Sequence, residues 1–150
     1  MDELIDDIRT DTGSSYPAGN AGAAVTEIDG VTSEVKSFSK INNTTSDTSK
    51  LNHDYSYKFD DTNRIFDTQK VDTDNVVNGP RAFDRAVDTE AKILEDIAHQ
   101  LGYNTKAVDS SVTGKVYLIT ERAPCASCAD VISQFNEMFP NIEVIVKNKY

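Results

Sequence analysis

The sequence predicts an α/β domain in which helices are layered against a sheet. Three observations carry this expectation. Early in the chain, Val25, Ile28, Val31, Val35 and Phe38 flank the turn dipeptide Asp29-Gly30, the signal of a β-hairpin. The second half alternates two amphipathic helix patterns with two apolar strand patterns. At 150 residues the chain suits one domain with a core of its own.

Residues 1–20 are polar, and the stretch SSYPAGN within them reads as a linker or arm, so the folded domain is expected over 21–150. The hairpin follows. The stretch NNTTSDTSK, 42–50, is a loop by composition, and 51–80 is expected to be mostly loop with one strand around Arg64 to Val71. In TEAKILEDIAHQL, Ile93, Leu94, Ile97 and Leu101 recur at helical spacing; Asp88 can cap the start and Gly102 the end. KVYLIT, bounded by Gly114 and Pro124, reads as a buried strand. From Ala126 to Phe139, Val131, Ile132, Phe135, Met138 and Phe139 form a second helical stripe that Pro140-Asn141 breaks. IEVIV, 142–146, closes the pattern as a strand. Helix–strand–helix–strand after a hairpin is a three-layer arrangement.

The net charge is −10, and it is lopsided: residues 1–80 carry 15 acidic and 7 basic side chains, and residues 81–150 carry 10 and 8. Proteins that depend on phosphate contacts usually show a basic stripe, which is not evident here. The acidity suits solubility, or a basic partner. No stretch approaches the length of a membrane span. The N-terminus MDELIDDIRTDTG lacks an apolar segment, so no signal peptide is expected in this chain. Two cysteines are too few for a disulfide-stapled scaffold.

Both cysteines fall in APCASC, Ala123 to Cys128, at a strand-to-helix junction. The unpaired N–H groups and positive dipole end of a helix start favour thiolates. One helical turn brings Cys125 and Cys128 close enough to share a metal, although a redox dithiol or a small disulfide uses the same spacing. Two sulfurs do not complete a zinc site. Asp88-Thr89-Glu90 opens the preceding helix, so Asp88 is a candidate third ligand, with Glu90 beside it to move protons. The bland readings are an N-cap for Asp88 and a dipole-favoured first-turn acid for Glu90.

VDTEAKIL followed by APCASC resembles the paired motifs of the zinc-dependent nucleobase deaminases, in which H-x-E opens one helix and P-C-x-x-C the next. Within that superfamily the chain is most similar to the deaminase modules at the C-termini of bacterial polymorphic toxins, over roughly residues 20–150. The resemblance implies a cytidine-deaminase-like α/β/α sandwich around a mixed sheet that begins with the hairpin. It implies Zn2+ bound by Asp88, Cys125 and Cys128, with Glu90 as the catalytic acid and base. It also implies substrate contacts near Ser39 and Asn42, with the neighbouring Ser37 and Asn43, and at Ala123 and Pro124; Arg122, just before the cysteines, is either a phosphate contact or a solvated charge.

The departure is Asp88, where the family usually has His or Cys. A carboxylate with two thiolates leaves one net negative charge around the ion, which makes a bound water harder to ionise. His99 lies eleven residues further along the helix, about 16 Å away at 1.5 Å per residue, too far to share the site. His53 lies in a polar loop; Asp88 is the preferred ligand. The function implied is hydrolytic deamination of a nucleobase, first cytosine in DNA, alternatively adenine, RNA or a free nucleotide. The chain would then be an effector module of a secreted protein acting in the target-cell cytoplasm, with a cognate immunity protein as partner. A noncatalytic zinc-stabilised binding module and a dithiol oxidoreductase are the competing classes. The aromatics Tyr55, Tyr57, Phe59 and Phe66 are expected to cover a core edge rather than stack on a base.

Overall fold

The computed structural model describes residues 2–16, 18–41, 55–56, 64–67, 70–71, 77, 80, 83–84, 89–122 and 126–149. In chain order the elements are α1 (Asp2–Thr12), β1 (Ala21–Glu27), β2 (Glu34–Phe38), β3 (Lys70–Val71), β4 (Phe83–Asp84), α2 (Thr89–Gln100), β5 (Gly114–Thr120), α3 (Ala126–Met138) and β6 (Ile142–Asn148).

The hairpin forms as the sequence predicts. Asp29-Gly30 occupies its turn, with Gly30 at φ 87°, where only glycine is unstrained. β1 pairs antiparallel with β2 from Ala21↔Phe38 to Val25↔Glu34. On its other side β1 pairs antiparallel with β5, from Gly22↔Thr120 to Glu27↔Lys115. β5 and β6 are parallel, joined by the α3 crossover, so the main sheet runs β2-β1-β5-β6. β3 and β4 form a separate two-stranded ribbon. Of the strand expected around Arg64 to Val71, only Lys70–Val71 is extended among the described residues.

Side chains alternate across the sheet and split the core into two layers. Ala24, Val35, Val116 and Leu118 pack with Ile93, Leu94 and Ile97 of α2 and with Val131 and Phe135 of α3. Ala21, Ala23, Phe38 and Ile119 pack with Leu4, Ile5 and Ile8 of α1. This is the predicted α/β/α sandwich around a mixed sheet. Phe66 and Phe135 meet at 6.0 Å between ring centroids, and Phe135 and Phe139 at 5.0 Å. Phe66 and Tyr55 are core residues, as expected; Tyr57 and Phe59 lie outside the described residues.

The N-terminal stretch differs from the expected arm. Residues 2–12 are helical, and Leu4, Ile5 and Ile8 are buried against the sheet. Arg9 grips Glu121, just past β5, through Nε (3.0 Å) and Nη2 (2.5 Å). Glu121 is buried and also accepts the N–H of Ala21 at 2.8 Å. Three apolar residues among eleven are a faint helical signal, and the ion pair that secures them bridges 112 positions.

α2 ends as Gly102 suggests. Gly102 takes φ 93°, its N–H donates to His99 O at 3.0 Å, and Tyr103 N–H donates to Ala98 O at 3.2 Å, a Schellman arrangement. α2 is buried on more than its apolar stripe. Lys92 Nζ donates to Phe38 O (2.6 Å) and Ile41 O (2.8 Å), and Glu95 accepts the N–H groups of Ile65 (3.1 Å) and Phe66 (2.7 Å). Those polar side chains fasten the loop segments over the helix, which an apolar periodicity cannot reveal. No helix among the described residues is long and apolar enough to cross a membrane.

Candidate active site

Two helices begin at the same end of the sheet. β1 starts and β5 finishes there, with Gly22 opposite Thr120, and α3 leaves from the end of β5. α2 enters directly over Gly22. A methyl group at residue 22 would lie 2.9 Å from both Cβ and Oγ1 of Thr89 and 3.3 Å from Thr120 Cγ2. The glycine therefore sets how closely α2 approaches the strand. The carboxyl end of a parallel strand beside two helix starts is the usual place for a ligand in an open α/β sheet.

Glu90 is the second residue of α2 and Cys128 the third of α3, 38 positions apart in sequence. Both are buried, Glu90 at 2% and Cys128 at 1% exposure. The Cys128 thiol donates to Glu90 Oε2 at 3.3 Å, and the Thr89 hydroxyl donates to the same oxygen at 3.2 Å. Thus a thiol, a hydroxyl and a carboxylate, all shielded from bulk water, converge between two positive helix ends. A soft sulfur donor with an oxygen acid beside it suits zinc coordination with an adjacent proton carrier.

Asp88, Cys125, Ala123, Pro124 and Asn42, all expected at the site, lie outside the described residues, as do Asn43 and His53. Among the described residues no group of three or more His, Cys, Asp and Glu side chains forms a metal site. His99 is at the far end of α2, with Nε2 3.2 Å from Glu95 Oε2. Burial pushes the Glu95 carboxyl up, and the Ile65 and Phe66 N–H groups and His99 pull it partly back. Ser37, opposite Gly22 in the β1–β2 register, is fully buried, and its Oγ has no hydrogen-bond partner among the described residues.

Ser39 joins the site indirectly. Its Oγ accepts Asn20 N–H at 2.8 Å, and its own N–H donates to Asn20 O at 2.9 Å. The Asn20 side chain then continues inward, with Nδ2 donating to Thr89 Oγ1 at 3.3 Å and Oδ1 accepting Arg122 N–H at 3.3 Å. The Arg122 guanidinium is stacked 5.6 Å from the centroid of Tyr16. Asn20 was not legible as a site residue, because it sits in a stretch whose composition signals only a turn.

No curated protein and no solved structure matches the chain. A family model does match, that of the toxin-deaminase family, described as the BURPS668_1122 family of deaminases. Its match spans residues 5–149, and the chain therefore belongs to this family of deaminase toxin domains.

Proposed function

We propose that the chain is a zinc-dependent hydrolytic deaminase of a nucleobase, with cytosine in DNA as its first substrate and adenine, RNA or a free nucleotide as the alternatives. The observation that carries the reading is the buried contact of 3.3 Å between Cys128 Sγ and Glu90 Oε2. Asp88, Cys125 and Cys128 would hold the ion. Bound there, zinc would supply a Lewis acid that makes water nucleophilic near neutral pH.

Glu90 does the proton work. Its carboxylate accepts one proton as water adds to C4 of cytosine, or C6 of adenine, and passes it to the ring nitrogen; it then takes the second from the hydroxyl of the adduct and delivers it to the amino group as the C–N bond breaks and ammonia departs. Thr89 orients that carboxylate through Oε2, and Cys128, whose sulfur lies 3.3 Å from the same oxygen, would keep the ion beside it once its thiol is deprotonated. Burial of the group keeps bulk water from competing for the proton. A base within a polymer must be single-stranded or flipped out to reach such a recess. Ser39, Asn42, Ala123 and Pro124 would line the approach, and Arg122 would meet a phosphate. As a toxin module the chain would act in the cytoplasm of a target cell after secretion, and a dedicated immunity protein would cover the site.

The test is uracil and inosine mapping in DNA and RNA of cells expressing the chain, with Glu90→Ala as control. The expected result is conversion of one base type by the wild type, none by Glu90→Ala, and equal zinc content in the two purified proteins. Full activity in Glu90→Ala would overturn the mechanism, and a metal-free active protein would overturn the zinc assignment.

A further inference from the structure

We propose that Asn20 is a positioning residue that locks the two helix starts of the site to one another; the proposal rests on the function proposed above. Every polar group of Asn20 is engaged. Its N–H donates to Ser39 Oγ at 2.8 Å and its carbonyl accepts Ser39 N–H at 2.9 Å. Its side chain spans from Thr89, at the start of α2, to Arg122, in the connection leading to α3. The Cys128–Glu90 contact at 3.3 Å joins the same two helix starts further inward.

The direction of the chain of bonds is fixed. Arg122 offers a backbone N–H, which can only donate, so the Asn20 side chain must present Oδ1 to it and Nδ2 to Thr89. Thr89 Oγ1, accepting from Nδ2, is then turned so that its hydrogen points to Glu90 Oε2. One amide therefore ties the start of α2 to the connection before α3 and orients the hydroxyl that holds Glu90. Gly22 permits this arrangement by letting Thr89 sit against β1.

The residue is well suited to dissection. Its two bonds to Ser39 are made by main-chain atoms that alanine and aspartate keep, so Asn20→Ala removes only the bridge. Asn20→Asp keeps an acceptor for Arg122 but offers no donor to Thr89, which must turn its hydroxyl away from Glu90.

The experiment measures zinc(II) affinity by chelator competition for the wild type, Asn20→Ala, Asn20→Asp, Thr89→Val and Asn20→Ala/Thr89→Val. The kcat and KM of each are also measured on single-stranded oligonucleotides carrying one cytosine or one adenine, and each Tm is recorded. Zinc affinity should fall about 10-fold in Asn20→Ala. The kcat should fall about 10- to 100-fold with KM little changed, since misplacement by about 1 Å is enough for that loss. Asn20→Asp should lose kcat while retaining most zinc affinity. The double variant should be no worse than the poorer single one, because both break one chain of bonds. Thr89→Ser, which keeps the hydroxyl, should restore kcat relative to Thr89→Val.

Losses that multiply in the double variant would refute the proposal, as would a lowered Tm with zinc affinity and kcat unchanged. If the wild type deaminates neither these oligonucleotides nor a free cytidine or adenosine nucleotide, the proposed function fails, while the zinc titrations still decide the role of Asn20. If Glu90→Ala is inactive but Asn20→Ala matches the wild type, the proposal fails alone.

Discussion

Replacing Arg9 by methionine tests whether α1 is part of the fold. Arg9 is 11% exposed and Glu121 1%, so little solvent screens their pair. The guanidinium makes two bonds to the carboxylate, at 3.0 and 2.5 Å, and others to Ser14 Oγ (3.0 Å), Ala18 O (2.7 Å) and Gly19 O (3.3 Å). Arg9→Met keeps the bulk of the stem but leaves Glu121 as a buried charge whose remaining hydrogen bond comes from the Ala21 N–H. Breaking one side of such a pair costs about 3–5 kcal/mol. For a domain of this size that lowers Tm by roughly 6–20 °C. Adding Glu121→Gln removes the buried charge while keeping an acceptor for Ala21, and should recover about 1–3 kcal/mol. Urea unfolding with a shared m-value measures both steps. The wild-type contribution should also change little with salt, as expected of a buried pair. A loss below about 1 kcal/mol in Arg9→Met, or no recovery in the double variant, would refute the reasoning and make α1 a peripheral attachment.

Two further outcomes follow from the packing and from Glu95. Gly22→Ala places a methyl group 2.9 Å from Thr89; it should cost about 1–3 kcal/mol and lower deaminase activity more steeply than stability, and an unchanged kcat would mean that α2 can shift without moving Glu90. Burial raises the Glu95 carboxyl above its usual value of 4.5. Its contribution to stability is therefore full below that pH and declines as pH rises through the folded-state value. Against Glu95→Gln, which carries no charge at any pH, wild-type stability should fall as pH rises from about 4; parallel unfolding curves would contradict burial as the cause.

Much of the fold was legible because it rests on local periodicity. The Asp29-Gly30 turn, the Ile93–Leu94–Ile97 stripe with its Gly102 stop, the strand KVYLIT and the Val131–Phe135 stripe all declare themselves within windows of a few residues. The P-C-x-x-C and D-T-E motifs are equally local in the sequence, although Asp88, Pro124 and Cys125 lie outside the described residues. Glu90 and Cys128 could thus be named from the chain, and the family match agrees with the resemblance those motifs carry. α1 escaped notice because its stability depends on the sheet beneath it and on Glu121, far away in sequence. Lys92 and Glu95 were equally opaque: on a helical wheel they belong to the solvent, yet they bind main-chain groups of segments that fold over α2.

What the sequence determined on its own was the β1–β2 hairpin, α2, β5, α3 and β6, and which residue types stand at the starts of α2 and α3. Only the tertiary structure decided that two helix starts meet, that Gly22 admits Thr89 against the strand, and that Asn20 joins Thr89 to Arg122. Periodicity and capping act over one or two turns. Contacts between Asn20, Thr89, Arg122, Glu90 and Cys128 depend instead on the order in which strands are laid side by side, and no local pattern encodes that order.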